Sequence, residues 1–381
     1  MPDTPATSPS HPGLSRREFL QLAGVATAGL IVASCQPAAV TPTITPAPLP
    51  PTVPAATPGK LAQVAIGQAQ TYQRDTISAD VHKLIDQLGG LTDVVKPGDS
   101  VAIKVNLTGG VYSGQLPGVK PIESFITHPE VVWALVQEVK AAGAKEIFII
   151  EAAYEAESWI NWGYDSVASD TGATLVDLTN SKPFADFVEA PVGPGSFIYP
   201  SFHFNQILRD VNVFMSVSKM KTHQLAGVSH TMKNLYGLVP YRFYRLSDQD
   251  QYRSAFHGTG DQTKSRLPRV IMDINRARPI HFSLIDGVKA IQGGEGPWIQ
   301  TAAPISPGVL LAGKNCVATD AVATAVMGHD PTGDYPNPPY LRCDNHLNIA
   351  AQLGLGPNRL DQIEVLGVPI ATVKTSFSPA W

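Results

Sequence analysis

Two lysines and a histidine at alternate positions carry the first chemical signal in this sequence. Lys219, Lys221 and His223 follow an apolar, β-branched run over residues 211–217, which predicts a buried strand that ends where polarity begins. On one strand face the two ammonium groups would lie about 7 Å apart and repel each other by roughly 2 kcal/mol. If the face is buried, a carboxylate or an anionic ligand must offset that repulsion; the alternative is a solvated basic rim.

A second basic face is expected in the next element. The sequence predicts a helix over residues 225–238, in which His230, Lys233 and Asn234 fall at i, i+3 and i+4 and share one side. Two successive elements would then present cationic edges. We therefore expect the functional site to be built around residues 211–240.

Alternating hydrophobic periods predict the elements that position these residues. The fold class expected from this alternation is α/β, with a mostly parallel sheet and helices on both faces. Ligands bind beyond the carboxyl ends of the strands in such sheets, so the site is expected at that edge. The predicted strands are 61–66, 100–105, 146–150, 174–178, 211–217, 279–285, 308–311 and 362–366, and the predicted helices are 77–88, 129–142, 158–171, 225–238, 267–277, 316–327 and 345–353.

Polar residues at the ends of the predicted strands extend the candidate site. Lys104 and Asn106 close one apolar run, Glu151 follows another, and Asp286 follows a third. Strands commonly end where polarity begins, which explains any one of these cases. It explains Lys104 less well, since that lysine stands inside an apolar run and an unpaired buried lysine is costly.

Two loops add further candidates. His128 precedes Pro129 at a predicted helix start, where it could face an anion or carry a proton, while capping is the simpler role for Thr127. Gly296 lies in a glycine-rich loop, 293–297, whose amides could approach a ligand closely. That loop matches neither a phosphate-binding nor a dinucleotide-binding signature.

The N-terminal region predicts export and membrane attachment. Arg16 and Arg17 precede an uncharged apolar run shorter than the roughly 20 residues that span a membrane, as in a twin-arginine signal. The run closes in Val-Ala-Ser-Cys35, which resembles a bacterial lipobox. We expect a signal over 1–34, a lipidated Cys35 with a Pro/Thr/Ala-rich tether over 35–59, and a globular domain over 60–381. The predicted location is the extracytoplasmic face of the cell membrane, held by the lipid anchor.

Composition narrows the functional classes. The formal net charge of −4 gives no electrostatic case for nucleic acid. After Cys35 only Cys316 and Cys343 remain, fewer than the four thiolates of a ferredoxin-type cluster, so no iron–sulphur cluster is expected. The two cysteines can pair or stand alone; we favour unpaired thiols because Cys316 opens a predicted helix.

Taken together, these motifs resemble the bacterial and archaeal domain-of-unknown-function family 362. The resemblance covers roughly residues 100–330. The family usually has a proline where this chain has Val105, and many relatives carry an iron–sulphur module that this chain lacks. The resemblance thus implies a site without fixing its chemistry. The matching pieces are 103–107, 127–129, 218–223, 232–237, His257, 285–287, 294–297 and 318–321.

Three functions fit the sequence. The first is a site that binds and transforms an anionic small molecule bearing phosphate or carboxylate. In it, lysines neutralise the anion, histidines move protons, and asparagines and the glycine loop orient the ligand. The proposed proton-transfer or catalytic residues are His128, His223, His257 and Lys221, and the proposed substrate-binding residues are Lys104, Asn106, Lys219, Lys233, Asn234 and Gly296.

The other two functions use the same region differently. A metal-dependent hydrolase would take a divalent metal on the oxygen ligands Asp286, Glu295 and Asp320. A non-catalytic lipoprotein that binds a solute or a partner would fit the anchor and tether equally well. No serine-nucleophile elbow of the Gly-x-Ser-x-Gly type is present.

Overall fold

The structure of this protein is a computed structural model that describes residues 61–381; the predicted signal, Cys35 and the tether lie outside the described residues. The strands are β1 (Ala62–Gln68), β2 (Ser100–Lys104), β3 (Glu146–Glu151), β4 (Thr174–Asp177), β5 (Phe187–Pro191), β6 (Ser201–Asn205), β7 (Val213–His223), β8 (Gly227–Ser229), β9 (Phe282–Gln292), β10 (Ala303–Ile305), β11 (Val309–Gly313) and β12 (Ile363–Gly367).

Helices connect most of these strands. The helices are α1 (Arg74–Gln87), α2 (Pro129–Ala141), α3 (Glu157–Asn161), α4 (Tyr164–Thr171), α5 (Ile207–Asp210), α6 (Thr231–Asn234), α7 (Ser254–His257), α8 (Gln262–Ala277), α9 (Cys316–Val326), α10 (His346–Gln352) and α11 (Ile370–Val373). Short 3₁₀ turns lie at Val111–Ser113, Pro121–Glu123, Leu235–Leu238, Tyr241–Phe243 and Leu360–Gln362.

One mixed sheet organises the described part of the chain, with the strand order β12-β1-β11-β9-β7-β2-β3-β4. Along this path only β11 runs antiparallel to its neighbours. Strands β8 and β10 extend it through antiparallel pairing with β7 and β9. The predicted mostly parallel α/β fold is confirmed.

Helices cover both faces of the sheet. Apolar residues of α1, α2 and α4 form a core with one set of alternating strand residues, which includes Val213, Met215 and Val217. Helices α8, α9 and α10 pack on the opposite set, which includes Phe214. This two-sided burial explains why the central strands read as continuous apolar runs.

The central element differs from its prediction. Strand β7 does not stop at Val217 but continues through both lysines to His223, with every residue buried. The predicted helix over 225–238 is wrong: β8, the one-turn helix α6 and a 3₁₀ turn take its place. Gly227, with φ of 72°, lets the chain turn back onto β7 where a helix would have run on.

Smaller differences lie elsewhere. The predicted helix over 158–171 is divided into α3 and α4 at Gly163, which has a left-handed φ of 78°. The β5–β6 hairpin escaped prediction. Cys316 and Cys343 are both free, which confirms the expectation of unpaired thiols. Among residues 61–381, no helix is both long and apolar enough to cross a membrane.

Candidate functional site

The parallel strands bring the predicted polar residues to one edge of the sheet. Lys104 ends β2, Glu151 ends β3, and both lie at the carboxyl ends of their strands. On β7, Lys219 lies opposite Asp286 of β9. Sequence reasoning about strand ends therefore located the correct edge of the sheet.

Lys219 and Asp286 form a closed, fully buried ion pair. Lys219 Nζ lies 2.9 Å from Asp286 Oδ2 and also donates to the hydroxyl of Tyr72 at 2.9 Å. Asp286 further accepts hydrogen bonds from Tyr72 and from the amide of His128. Burial lowers the pKa of Lys219, and the neighbouring Asp286 opposes that change. We call these four residues the Lys219–Asp286 cluster.

His128 belongs to this cluster as a neutral, structural side chain. Its ring stacks on Tyr72 with centroids 3.7 Å apart, and its Nδ1 accepts a hydrogen bond from the amide of Glu130 at the start of α2. Burial, followed by the charge of Lys219, lowers the pKa of His128 to about 2. The predicted helix start is correct, and the ring acts there as its cap.

A second buried ion pair joins the carboxyl ends of β2 and β3. Lys104 Nζ lies 2.8 Å from Glu151 Oε1 and 3.4 Å from Asn234 Oδ1. Asn234 also accepts from Asn106, whose own side-chain oxygen accepts from Lys221 at 2.8 Å. A hydrogen-bonded chain thus joins four of the predicted residues, in the order Lys104, Asn234, Asn106 and Lys221.

Lys221 differs from the other two buried lysines because it lacks a carboxylate. Its Nζ donates to Asn106 and to the carbonyl of Phe125 at 3.0 Å, and within residues 61–381 it forms no ion pair. Burial and the nearby charge of Lys233 lower its pKa well below the usual value. A buried ammonium with only neutral acceptors is unstable unless another negative charge arrives.

A cavity of about 820 Å³ opens next to this chain of polar residues. A void of about 30 Å³, the size of one water molecule, lies beside it and is lined by Lys104, Asn106, Glu151 and Asn234. Lys233 contributes to the walls of both spaces. The large cavity has the volume of a small-molecule binding site.

Lys233 enters the cavity wall without an ion-pair partner in the described chain. Its Nζ lies 4.5 Å from the centre of the Tyr236 ring, a cation–π contact. Burial lowers the pKa of Lys233 to about 8, with Glu295 opposing and Arg253 adding to the decrease. About a tenth of Lys233 is therefore neutral at pH 7, and about half at pH 8.

Arg253 is the third cation of this site that has no carboxylate partner among residues 61–381. It is 2 % exposed, lines the small void, and donates its Nε to the carbonyl of Val239. Its Nη2 is buried with no hydrogen-bond partner in the described structure. The guanidinium lies 5.2 Å from the Tyr236 ring, so Lys233 and Arg253 contact the same aromatic side chain. We call Lys221, Lys233 and Arg253 the cationic floor.

Two histidines of the cavity wall are neutral. His223 accepts a hydrogen bond from the amide of Leu225 at Nδ1, which leaves its proton on Nε2. His257 lies 3.2 Å from the Tyr236 hydroxyl. Burial, followed by the charge of Lys233, lowers the pKa of His223 well below its usual value and that of His257 to about 4. Both rings can exchange protons with a ligand in the cavity.

Aromatic side chains surround the outer part of the cavity. Tyr112, Tyr252 and Trp298 are among its lining residues and are 77 %, 48 % and 44 % exposed. Trp298 packs edge-to-face on Phe125 and donates its indole N–H to Glu295. The large cavity therefore combines aromatic walls with Lys233 and the carboxylates of Glu155 and Glu295. Of the other two cations of the floor, Arg253 lines the adjoining small void, and Lys221 is connected to that void through Asn106.

The structure does not bring the three predicted metal ligands together. Asp286 is engaged by Lys219 and Tyr72, whereas Asp320 accepts from the Thr231 amide and hydroxyl and the Met232 amide. Glu295 receives the amide of Gln224 at the large cavity. Within the described part of the chain, no three His, Cys, Asp or Glu side chains converge as a metal site requires. The predicted metal triad is thus corrected.

Three further predicted residues serve packing. His230 points away from Lys233, with Nε2 3.1 Å from the sulphur of Met327, because it precedes α6 and does not lie on its face. A Cβ on Gly296 would collide with the Trp298 ring, so the absence of a side chain here permits the packing of that ring. Asp320 holds the start of α6 and so positions Lys233.

Arg253, Tyr236, Tyr72 and Trp298 were missed as members of the site. Arg253 lies in an irregular segment that has neither helical nor strand periodicity. Tyr72 follows β1, and only the β9 register brings it to Asp286. The sequence carries no signal that would have found Arg253; a search of residues after β1 would have included Tyr72.

Comparison with known proteins identifies the family. The model of the family Domain of unknown function (DUF362) matches residues 101–325, more than half of the chain, so this chain belongs to that family. The Synechocystis sp. thylakoid-associated protein is a relative: it is 26 % identical over 268 residues, which cover 70 % of this chain and 75 % of that protein.

Two solved structures share weaker likeness. The lactate racemase apoprotein of Thermoanaerobacterium thermosaccharolyticum has a TM-score of 0.35 and 14 % identity, covering 64 % of this chain and 54 % of its own. A Thermotoga maritima protein has a TM-score of 0.32 and 11 % identity, covering 62 % and 54 %. This chain therefore spans about half the length of the solved structures that it matches.

Proposed function

We propose that this protein binds, and chemically transforms, an organic anion bearing carboxylate or phosphate in the 820 Å³ cavity. The observation that carries the proposal is the cationic floor, in which Lys221, Lys233 and Arg253 have no carboxylate partner among residues 61–381. A bound anion would relieve their mutual repulsion and complete the hydrogen bonding of Arg253.

Cavity size and lining favour an organic ligand over an inorganic ion. Inorganic phosphate would occupy only a small part of the space and would leave the aromatic walls formed by Tyr112, Tyr252 and Trp298 without contacts. A ligand with an anionic end on the cationic floor and an apolar body on these rings uses both regions. Neutral His223 and His257 beside the floor support proton transfer, and so a reaction in addition to binding.

Native mass spectrometry of protein purified from a host that exports it tests the proposal. We expect the wild-type protein to retain an organic acid or organic phosphate and the Lys233→Met/Arg253→Gln variant to lose it. Lys145→Met, which removes an exposed lysine just before β3, is the matched control and should keep the ligand. If the wild-type protein and the double variant carry the same species, or neither carries one, the proposal is wrong.

We also propose that the protein is exported by the twin-arginine route and held at the extracytoplasmic membrane face by lipid on Cys35. Support comes from the paired arginines, the short apolar run and the Val-Ala-Ser-Cys sequence. Metabolic labelling with an alkyne fatty acid should mark the wild-type protein and not Cys35→Ser. Arg16→Lys/Arg17→Lys should leave unprocessed precursor inside the cell; labelling that persists without Cys35 would contradict the anchor.

A further inference from the structure

Lys233 has the surroundings of a nucleophilic amine. Among the described residues its Nζ has no recorded hydrogen-bond or ion-pair partner and contacts the Tyr236 ring at the wall of the large cavity. The other lysines of the site are occupied: Lys104 and Lys219 by carboxylates, and Lys221 by Asn106 and a carbonyl. Only Lys233 of these four presents a free amine to a ligand.

Groups that assist carbonyl addition lie around this amine. The Tyr236 hydroxyl is 3.2 Å from His257 Nε2, so a hydrogen-bonded pair stands next to Lys233. The guanidinium of Arg253 contacts the same ring from the wall of the adjoining small void, and its buried Nη2 has no hydrogen-bond partner in the described structure. Desolvation also lowers the pKa of Lys233 to about 8, which raises its neutral fraction.

We propose that Lys233 forms an imine with an organic anion that carries an aldehyde or ketone, such as a 2-oxo acid. This rests on the proposed function and names its substrate class: Arg253 holds the anionic group, and the carbonyl carbon faces Lys233. Imine formation at Lys233 is reversible and needs no oxidant or reductant.

Imine formation at Lys233 uses only the amine, the carbonyl compound and the Tyr236–His257 pair. The neutral Lys233 amine adds to the carbonyl carbon, a C–N bond forms, and one proton moves from nitrogen to oxygen to give the carbinolamine. The C–O bond then breaks, and the carbonyl oxygen leaves with the two amine hydrogens as water. The Tyr236–His257 pair donates and recovers the proton that the leaving oxygen needs.

Reductive trapping tests the proposal on the mature, folded protein. Borohydride is added with pyruvate as the probe, and intact mass and peptide mapping locate any reduced adduct. We expect one adduct per chain, on Lys233, at least ten-fold faster than on exposed Lys145. Lys233→Arg keeps the positive charge and should abolish this adduct while retaining a pyruvate-dependent rise in melting temperature.

The outcomes separate this proposal from the one on which it rests. Adducts distributed over exposed lysines, or an unchanged adduct in Lys233→Arg, overturn it. Lack of any adduct, together with a melting temperature that lactate and pyruvate both raise, overturns the imine and leaves anion binding intact. If no adduct forms and neither anion raises the melting temperature, the imine proposal fails; the proposed function fails with it only if other organic carboxylates and organic phosphates also leave the melting temperature unchanged. Circular dichroism of Lys233→Arg verifies that the variant folds.

Discussion

Lys219 and Lys221 are two residues apart on the same strand, yet their surroundings are opposite. Lys219 pairs with Asp286, directly across from it on β9. The register then shifts, so that Lys221 faces Ile291 on β9 and Ser229 on β8, neither of which is acidic. One ammonium is paired with a carboxylate of the fold and the other is not, so under the proposed function the strand register separates a structural charge from one that a ligand can neutralise.

This comparison assigns different work to the two regions. The Lys219–Asp286 cluster is closed, with each group satisfied, and should contribute to stability. In the cationic floor, Lys233 lines the large cavity and Arg253 lines the adjoining void, and under the proposed function these cations should contribute to binding. A substitution in the Lys219–Asp286 cluster that changes only ligand response, or one in the cationic floor that strongly lowers stability, would contradict this division.

The largest effect is expected from Asp286→Asn. This change leaves Lys219 buried without a carboxylate, and breaking a buried ion pair reduces the free energy of unfolding by about 3–5 kcal/mol. Urea unfolding measures it. The double variant Lys219→Met/Asp286→Leu, which removes both charges, should lose much less. A loss below about 1 kcal/mol in Asp286→Asn would show that the cluster is not structural.

The expected result for Lys221→Met is the reverse. Removing an unpaired buried charge is favourable, while leaving Asn106 and the Phe125 carbonyl without a donor is unfavourable. The two effects nearly cancel, and the free energy of unfolding should stay within about 1 kcal/mol of wild type. The apparent affinity for an added organic anion, measured from the stabilisation that the anion gives, should fall at least ten-fold. Strong destabilisation would assign Lys221 to the structural class.

Acid should weaken the fold because several buried histidines remain neutral in it. Burial lowers the pKa of His257 and His281 to about 4 and of His230 and His346 to about 3, below the ordinary 6.5. Between pH 6.5 and about 4 the unfolded chain binds protons that the native chain does not. The free energy of unfolding therefore decreases as the pH is lowered, by about 1.4 kcal/mol per pH unit for each such histidine.

Asp320 opposes this trend, since its pKa is raised to about 7 and its contribution is lost as pH rises from about 4 to 7. Urea midpoints at pH 7.5, 6.5 and 5.5 measure the net slope of stability against pH. We expect stability to decrease as the pH is lowered, because the histidines outnumber Asp320. His230→Gln should reduce the slope by about one proton. Exposed His82, whose pKa is raised beside Glu138, is the control, and His82→Gln should leave the slope below pH 6.5 unchanged.

The smallest effect is expected at the aromatic wall. Trp298→Ala removes an apolar surface that an organic ligand would cover, and affinity for such a ligand should fall about three- to ten-fold. Because the cationic floor is unchanged, the affinity for inorganic phosphate, which we expect to be lower than that for the organic ligand, should equal that of the wild type. Isothermal titration with both ligands checks this. Equal losses for both would show that Trp298 holds the floor in place.

The fold and the site differ in how far the sequence could predict them. Strand and helix alternation gave the α/β architecture because apolar periodicity is a local property. The edge of the sheet followed from Lys104, Lys219 and Asp286 at or beyond strand ends. Which lysine is paired could not be predicted, because it depends on the β7–β9 register and its shift, a non-local feature.

Two failures show the same limit. His230 and Lys233 would share a helix face only if residues 225–238 formed one helix, but pairing of β8 with β7 overrides that spacing. Arg253 approaches Tyr236 from an irregular segment, so no local period marks it. Residues whose role depends on tertiary contacts between distant segments were missed or misassigned.

The most direct test of anion binding by the cationic floor is to measure the melting temperature against anion concentration for three proteins. Wild type and Lys233→Met/Arg253→Gln are titrated with organic phosphates and carboxylates, with Lys145→Met as control. We expect at least one organic anion to raise, in a saturable manner, the melting temperature of the wild type and the control but not that of the double variant. Equal shifts in all three proteins, or no shift from any anion in wild type, would contradict it.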